Sequence, residues 1–187
     1  MGKEQGSLYY DRVFKNAPYY HMPWDKMNQW TIIWEKTLPL LIENKVNSIL
    51  DIGSGMGQFG QLVQSNNIKY KGIDFSEYAI KYSNENKVKN EVFEQADALK
   101  YDYEKDDVDC YVTHEFLEHI HKDTEILSKL KSNKFIIFSV PSFDDPGHVR
   151  WFNSIDSIKN RYSPYIKNLK VKAITDKVHY LGWGFTK

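Results

Sequence analysis

The sequence predicts an α/β fold, with a mostly parallel sheet of about seven strands, an antiparallel last strand and helices on both faces. From residue 48 onward, short apolar strands alternate with helical segments, which is typical of a parallel sheet covered on both sides. A glycine-rich turn joins the first strand to the first of these helices. The final two strands are separated by a short turn and read as an antiparallel hairpin.

The chain before the sheet is rich in aromatic residues and reads as a separate segment of one structural domain. Residues 1–24 are expected to be irregular or partly helical, and residues 25–43 to form a helix capped by Asp25 and kinked or divided at Pro39. We therefore expect an aromatic lid and helix at 1–44 and the main domain at 45–187.

The elements of the main domain follow from hydrophobic periodicity and turn residues. The predicted strands span 48–52, 70–74, 90–94, 107–113, 134–140, 169–175 and 178–185. The predicted helices span 58–65, 76–83, 118–131 and 154–161. Ser76 is expected to cap the second of these helices.

Composition narrows the classes of protein. The 25 basic residues balance the 25 acidic ones, which makes a nucleic-acid partner less expected but does not exclude it. The single cysteine, Cys110, excludes an intramolecular disulfide and a cysteine-rich zinc site, and a reducing cytoplasm is the natural compartment. No apolar run is long enough to span a bilayer, and no secretory signal is evident, so we expect no membrane association.

The glycine-rich turn is the strongest functional signal. Gly53, Gly55 and Gly57 follow the first strand and open a helix, so the backbone can approach a ligand closely and present N–H donors to it. An acid, Asp74, ends the next strand, where it can accept hydrogen bonds from ribose hydroxyls. A further acid, Asp97, follows the third strand and could accept from an adenine amino group.

Two alternatives remain for this turn. It could be a tight strand-to-helix turn without a ligand. Residues 55–60 also match the G-x-G-x-x-G fingerprint of dinucleotide-binding proteins. Against the second alternative, the first glycine, Gly53, displaces that register, and the chain is short for a second nucleotide-binding half and a substrate domain.

Residues 48–140 resemble the class I S-adenosylmethionine (SAM)-dependent methyltransferases, and the likeness extends over about 45–187. The acid-then-GxGxG pattern at 51–57, the acid after strand two and the adenine-side acid all match. The resemblance implies a Rossmann-like sheet of seven strands with a reversed last strand, and SAM as cofactor. It also implies that SAM is bound by Asp51, Gly53, Ser54, Gly55, Gly57, Asp74, Phe75, Asp97, Ala98 and Thr113.

The segment after strand four is rich in polar chemistry. Glu118 and His119 resemble the Leu-Glu-His signature of ubiquinone-biosynthesis methyltransferases. Together with Glu115 they resemble the metal motif of small-RNA 2′-O-methyltransferases, with His148 as the matching later ligand. Such ligands could hold a divalent ion such as Mg²⁺, Mn²⁺, Fe²⁺ or Zn²⁺, which would lower the pKa of an acceptor hydroxyl.

The residues of this segment can also be interpreted without a metal ion. Glu118 could simply favour the positive end of a helix. His114, His119 or His148 could act as the general base, since a neutral imidazole suits neutral pH. We therefore take His114, Glu115, His119 and His148 as the candidate catalytic residues, and Thr113, His114 and Glu115 as neighbours of the transferred methyl group.

The aromatic segment could cover the cofactor and an acceptor, or it could pack the first helix against the sheet edge. The candidate acceptor-side and lid residues are Tyr10, Tyr19, Tyr20, Trp24, Ser142 and Arg150.

These features predict methyl transfer from SAM to an oxygen, less expectedly a nitrogen, of a small-molecule acceptor, by a monomer or homodimer. Methylation of an RNA or nucleotide sugar is the alternative among enzymes, and a SAM-binding protein without turnover is the alternative among other classes. A DNA-base methyltransferase is disfavoured, because neither an Asn/Asp-Pro-Pro-aromatic motif nor a Pro-Cys pair is present.

Overall fold

The computed structural model describes residues 2–86 and 92–187, and in it a single sheet of seven strands organises the chain. The strand order is β3-β2-β1-β4-β5-β7-β6. Strands β1 to β5 pair in parallel, whereas β7 runs antiparallel to both β5 and β6. The strands are β1 (Ser48–Ile52), β2 (Lys69–Asp74), β3 (Phe93–Gln95), β4 (Cys110–His114), β5 (Phe135–Pro141), β6 (Ile166–Ile174) and β7 (His179–Thr186). The predicted fold class, with its reversed last strand, is confirmed.

Helices and short 3₁₀ turns connect the strands. The α-helices are α1 (Ser7–Asn16), α2 (Gln29–Glu43), α3 (Gln58–Ser65), α4 (Glu77–Asn86), α5 (Asp123–Lys129) and α6 (Ile155–Tyr162). The 3₁₀ turns span Pro18–His21, Trp24–Lys26, Tyr103–Lys105, Leu117–His119 and Thr175–Lys177. No helix in the described ranges is both long and apolar enough to cross a bilayer.

The two faces of the sheet bury two hydrophobic cores, because successive strand residues point to opposite sides. Leu50 and Tyr111 pack with residues of α5 and α6 on one face. Ile49 and Val112, each one position away along the same strands, pack with α2, α3 and α4 on the other. The helices thus hold the carboxyl ends of β1, β2 and β4 side by side, where ligands bind in open α/β sheets.

The first long helix differs from its prediction. It begins at Gln29 rather than at residue 25, and Asp25 lies in a preceding 3₁₀ turn, so it is not the helix cap. That turn is closed by Thr31, whose hydroxyl accepts from the Met27 N–H at 3.0 Å and donates to the Trp24 carbonyl at 2.6 Å. The helix is not divided at Pro39, and its buried positions on both sides of the proline pack into the same core, which offsets the lost hydrogen bond.

The predicted helix at 118–131 is replaced by a 3₁₀ turn at Leu117–His119 and by α5, which begins at Asp123. Arg150 explains the interruption. Its guanidinium donates to the carbonyls of Leu117 and Ile120, and to that of His121 at 3.0 Å. These carbonyls would otherwise accept from the amides of a continuous helix.

Other boundaries shift by a few residues. The fourth strand starts at Cys110 rather than at residue 107, and Asp109 before it accepts from the N–H groups of Asn47 and Ser48. The third strand covers Phe93–Gln95, whereas residues 90 and 91 of its prediction lie outside the described residues. Ser76 caps α4 as predicted, accepting from the Ala79 N–H at 3.1 Å.

Candidate functional site

A cavity of about 710 Å³ lies at the carboxyl ends of the parallel strands. The glycine loop and the segments after β2, β3 and β4 form its floor, and the N-terminal segment covers it. The cavity is large enough for a cofactor together with a small acceptor. The predicted cofactor residues along its wall are Gly53, Ser54, Gly55, Asp74, Phe75, Asp97 and Ala98.

The glycine loop follows β1 in a conformation that favours glycine. Gly53 has a φ of +78°, and a Cβ atom there would lie 2.2 Å from the Phe116 ring. The N–H groups of Gly53 and Ser54 both donate to the Ile73 carbonyl, at 2.8 and 3.0 Å, which ties the loop to the end of β2. The backbone therefore borders the cavity directly.

Asp74 is an acid on the cavity wall beside the glycine loop. Its two carboxylate oxygens accept from the N–H groups of Gly55 at 3.0 Å and Ser76 at 2.9 Å. Burial raises the pKa of Asp74 to about 6, although these hydrogen bonds oppose the rise. The carboxylate is thus fixed in orientation beside the glycine loop, with lone pairs left for a hydroxyl donor.

Asp51 and Gly57, which were predicted to bind the cofactor, are not among the described residues that line the cavity. Asp51 is buried and accepts a 2.6 Å hydrogen bond from the Tyr70 hydroxyl, and burial raises its pKa to about 7. Gly57, with a φ of +79°, packs against Phe93 at the start of α3. Both residues therefore shape the loop, and their contact with the cofactor stays a prediction.

At the end of β4, one predicted site residue lines the cavity and its neighbour does not. Thr113 is fully buried and lies outside the described lining of the cavity. His114 lines the cavity, while its Nε2 atom lies 2.9 Å from the Thr37 hydroxyl and its ring packs edge-on against Phe59. Burial lowers the pKa of His114 to about 3, so this imidazole is neutral at physiological pH.

The structure brings together Glu118, His119 and His148. One ligand atom from each of the three lies within 4.8 Å of the others. Glu118 is completely buried, and no described residue hydrogen-bonds to either of its carboxylate oxygens. Burial raises its pKa well above the usual value, with a further rise from the neighbouring Glu115 carboxylate.

The two imidazoles of this cluster turn toward each other. His119 Nδ1 lies 3.0 Å from the Gly147 carbonyl, and His148 Nδ1 lies 3.1 Å from the Phe143 carbonyl. A carbonyl can only accept, so each Nδ1 carries the hydrogen and each Nε2 keeps its lone pair. Burial lowers the pKa of His119 to about 4. A buried Glu118 side chain without a hydrogen-bond partner, beside two imidazoles that are held at Nδ1 and so leave Nε2 available, is a donor set that fits a divalent cation.

Glu115 does not join this cluster, contrary to the predicted four-residue metal set. Its Oε1 accepts from the Ser139 hydroxyl at 2.8 Å, and its Oε2 lies 3.4 Å from Nε2 of His179. His179 also lines the cavity but was not selected from the sequence. The predicted hairpin could have indicated His179 as a site residue. An antiparallel last strand brings its first residue beside the end of β5, and here His179 pairs with Pro141.

The N-terminal segment supplies part of the expected lid. Tyr10, Tyr19 and Tyr20 line the cavity, together with Trp30 of α2, which stacks on Tyr19 at 5.7 Å. Trp24 lies outside the described lining and packs against the core below α2.

Two other residues that were predicted to contact the acceptor, Arg150 and Ser142, make contacts within the fold, and their acceptor contacts stay predictions. Arg150 holds the segment after β4 through its carbonyls and pairs with Asp123 at 3.3 Å. The Ser142 backbone N–H donates to the Val178 carbonyl, and its side chain is outside the described cavity wall.

Comparisons with known proteins agree with this architecture. The model of the methyltransferase domain family matches residues 43–175. No curated protein sequence matches the chain.

Three solved structures illustrate the likeness. The methyltransferase domain of bacterial CtHen1 is 12% identical, with a TM-score of 0.66 over 86% of this chain and 100% of that one. The plantazolicin methyltransferase BpumL, in complex with S-adenosylhomocysteine, is 14% identical, with a TM-score of 0.66 over 97% and 95%. A Haloferax volcanii methyltransferase bound to the activator Trm112 is 13% identical, with a TM-score of 0.72 over 95% and 97%.

Identities this low show a shared fold, whereas the family match rests on the sequence itself and covers the glycine loop, both acids and the segment after β4. The chain therefore belongs to the methyltransferase domain family and is a class I SAM-dependent methyltransferase.

Proposed function

We propose that this enzyme transfers the methyl group of SAM to an oxygen of a small-molecule acceptor. The observation that carries the proposal is the continuity of one cavity, which joins the glycine loop and Asp74 at one end to Glu118, His119 and His148 at the other. Cofactor and acceptor can therefore meet in a single cavity, where positioning accounts for much of the rate.

The cofactor end fits SAM. The Gly53–Gly55 backbone lies against the cavity, Asp74 offers fixed carboxylate oxygens for ribose hydroxyls, and Asp97 lies farther along the same wall. Ser54 has a buried hydroxyl without a hydrogen-bond partner among the described residues, as expected where a ligand supplies one. SAM supplies an electrophilic methyl group on a sulfonium centre.

The acceptor end has two candidate means of activating a hydroxyl. Glu118, His119 and His148 would hold a divalent cation, which would supply Lewis-acid activation of the acceptor oxygen. In its absence, the lone pair on Nε2 of His119 or His148 could receive the hydroxyl proton, because both imidazoles are held with Nδ1 on a carbonyl. In His114, Thr37 already occupies Nε2, so Nδ1, which has no hydrogen-bond partner among the described residues, would be the atom that receives a proton.

The first test is calorimetric titration of the purified protein with SAM and S-adenosylhomocysteine. We expect micromolar binding that Asp74→Ala abolishes, with Asp144→Ala, an exposed acid, as the matched control. If the folded native protein does not bind either compound, the proposal fails. Acceptor-dependent formation of S-adenosylhomocysteine then separates an enzyme from a binding protein without turnover.

Metal binding is tested separately by titrating Mn²⁺ and Zn²⁺ into chelator-treated protein. We expect one site that is lost in Glu118→Gln and kept in Glu125→Gln, a variant of a half-buried glutamate that pairs with lysines of its own helix region. Equal binding to the two variants would place the ion elsewhere.

Methylation of an RNA or nucleotide 2′-oxygen is the second candidate, and the metal-type cluster favours it. The composition of the cavity wall argues against an RNA acceptor, because the described residues that line the cavity include no Lys or Arg to bind phosphates. Tight RNA binding that weakens steeply with salt would favour an RNA acceptor over a small molecule.

A further inference from the structure

Glu115 directly follows β4 and has an unusual backbone conformation. Its φ is +49°, in the left-handed region that side chains rarely adopt. The N–H of Glu115 lies 3.0 Å from the Ser139 hydroxyl oxygen and 3.3 Å from the Ser139 carbonyl. The same hydroxyl donates to Oε1 of Glu115 at 2.8 Å. Ser139 thus holds both the strained backbone and the carboxylate, which is oriented along the cavity wall.

His179 lies beside the other carboxylate oxygen. Only 3% of this histidine is exposed, and its Nε2 lies 3.4 Å from Oε2 of Glu115. On the far side of the ring, Nδ1 lies 2.8 Å from the Thr175 hydroxyl, which also accepts from the His179 backbone N–H at 3.1 Å. Since that hydroxyl accepts from the backbone, its hydrogen is free to go to Nδ1, which leaves the ring hydrogen on Nε2, facing Glu115.

The turn that supplies Thr175 is also strained. Thr175 has a φ of +49°, which is an outlier for a β-branched residue. Left-handed backbone at Thr175 and at Glu115 therefore flanks one buried histidine from both sides. Strain of this kind costs free energy and persists where the surrounding contacts enforce it, often at a binding site.

The surroundings indicate what the carboxylate can bind. Glu115 faces a cavity whose described lining contains no Lys or Arg, so no fixed side-chain cation competes for its remaining lone pairs. The nearby titratable groups on the cavity wall are Glu118, His119 and His179. Aromatic rings of Tyr19, Tyr20 and Trp30 line another part of the same space. A planar molecule with a hydroxyl donor satisfies both the rings and the carboxylate.

We propose that Glu115 binds the hydroxyl of a planar, phenol-type methyl acceptor, and that His179 is a positioning residue that orients the Glu115 carboxylate. This inference rests on the proposed function, because it assigns the acceptor end of the same cavity. It gives the carboxylate a role that does not depend on a metal ion.

The test compares two probes whose oxygen carries either a hydrogen that Glu115 can accept or a methyl group in its place. Protein saturated with S-adenosylhomocysteine is titrated, in excess chelator, with 2-naphthol and with 2-methoxynaphthalene, and binding is followed by the fluorescence of the naphthalene. We expect 2-naphthol to bind at least about tenfold more tightly, as for a hydrogen bond to a charged group. Glu115→Ala should remove that preference, while Asp145→Asn, a change at another acid on the cavity wall, should retain it.

Variants of His179 separate positioning from a general structural role. In His179→Gln, an amide N–H can replace the Nε2–H donor, so the preference for 2-naphthol should persist. In His179→Phe, the ring volume is kept without a donor, and the preference should fall toward that of Glu115→Ala. Equal preference in these two variants would overturn the role of His179.

A second measurement needs no substitution. Nitrogen-15 NMR of the wild-type imidazoles should show His179 with its hydrogen on Nε2. The opposite tautomer would contradict the role of His179 in orienting the Glu115 carboxylate. If S-adenosylhomocysteine does not bind, the proposed function itself fails. If it binds but the two naphthalenes do not differ in affinity, only the inference about Glu115 and His179 is overturned.

Discussion

At the scale of single residues, we expect the carboxylate of Asp74 to link cofactor binding to pH. Burial raises its pKa to about 6, so the carboxylate begins to take up a proton within the physiological range of acidification. A protonated carboxyl loses acceptor capacity for ribose hydroxyls. The affinity for the cofactor is therefore expected to be highest above the pKa of Asp74 and to decrease below it.

We therefore expect the affinity for S-adenosylhomocysteine to be level from pH 8 to about 7 and to fall below pH 6, by up to about tenfold per pH unit. Calorimetry across this range tests it. Asp51→Asn should keep the decrease, because Asp51 lies outside the described lining. An affinity unchanged down to pH 5 would contradict the role of Asp74.

Gly57 is a residue-scale test of the loop. Its φ of +79° disfavours any side chain, and a Cβ atom would lie 2.5 Å from Cζ of Phe93. We expect Gly57→Ala to lower the free energy of unfolding by about 2–4 kcal/mol, from backbone strain and overpacking. Urea denaturation measures the loss. Gly6→Ala is the control, because a Cβ there meets nothing within 4 Å, and a similar loss in both variants would refute the explanation.

At the scale of elements, the side chain of Asp11 ties α1 to the start of α4, over the cavity. Asp11 accepts from the Ser76 hydroxyl at 2.6 Å and from the Tyr78 N–H at 3.2 Å, at the start of α4. The Ser76 N–H in turn donates to Asp74. The N-terminal helix is thereby attached to the same turn that orients the cofactor-binding acid.

Removing this attachment should loosen α1 without unfolding the sheet. In Asp11→Ala we expect the amides of residues 7–16 to exchange with solvent roughly five- to tenfold faster, since the net contribution of such a bond is about 1 kcal/mol. Hydrogen-exchange mass spectrometry measures the change. Arg12→Ala, at an exposed position of the same helix, should leave the exchange unaltered. Unchanged protection in Asp11→Ala would show that packing alone holds α1.

At the scale of the whole molecule, one buried acid joins the helices on one face. Asp123 is completely buried and accepts from Arg161 at 2.8 and 2.6 Å and from the Tyr162 hydroxyl at 2.9 Å. It also pairs with Arg150 at 3.3 Å. The cluster connects α5 and α6 with the segment that carries His148.

Truncating this acid should destabilise the entire domain, because it leaves arginine charges with no anionic partner in a largely buried cluster. We expect Asp123→Ala to lower the free energy of unfolding by about 3–5 kcal/mol. Asp156→Ala, at an exposed acid in the first turn of α6, should cost only a few tenths of a kcal/mol. Denaturant unfolding compares the two, and a loss below about 1 kcal/mol for Asp123→Ala would contradict this account.

The sequence alone determined the features that depend on neighbours along the chain. The strand 48–52, the glycine turn and the helix 58–65 were predicted with the bounds that the structure has, because apolar periodicity and positive-φ glycines are local signals. The closing hairpin was predicted for the same reason and gave the reversed last strand. The order of these signals was sufficient to identify the fold and the family.

Only the tertiary structure decided how the site is divided among its residues. Glu115 and Glu118 have the spacing of a shared site, yet the strained backbone at Glu115 turns its carboxylate to Ser139 and His179. Arg150 has the chemistry of an acceptor contact, yet it binds the carbonyls that end a helix. These outcomes depend on partners distant in the sequence, which come together because the sheet places the ends of β4, β5 and β7 side by side.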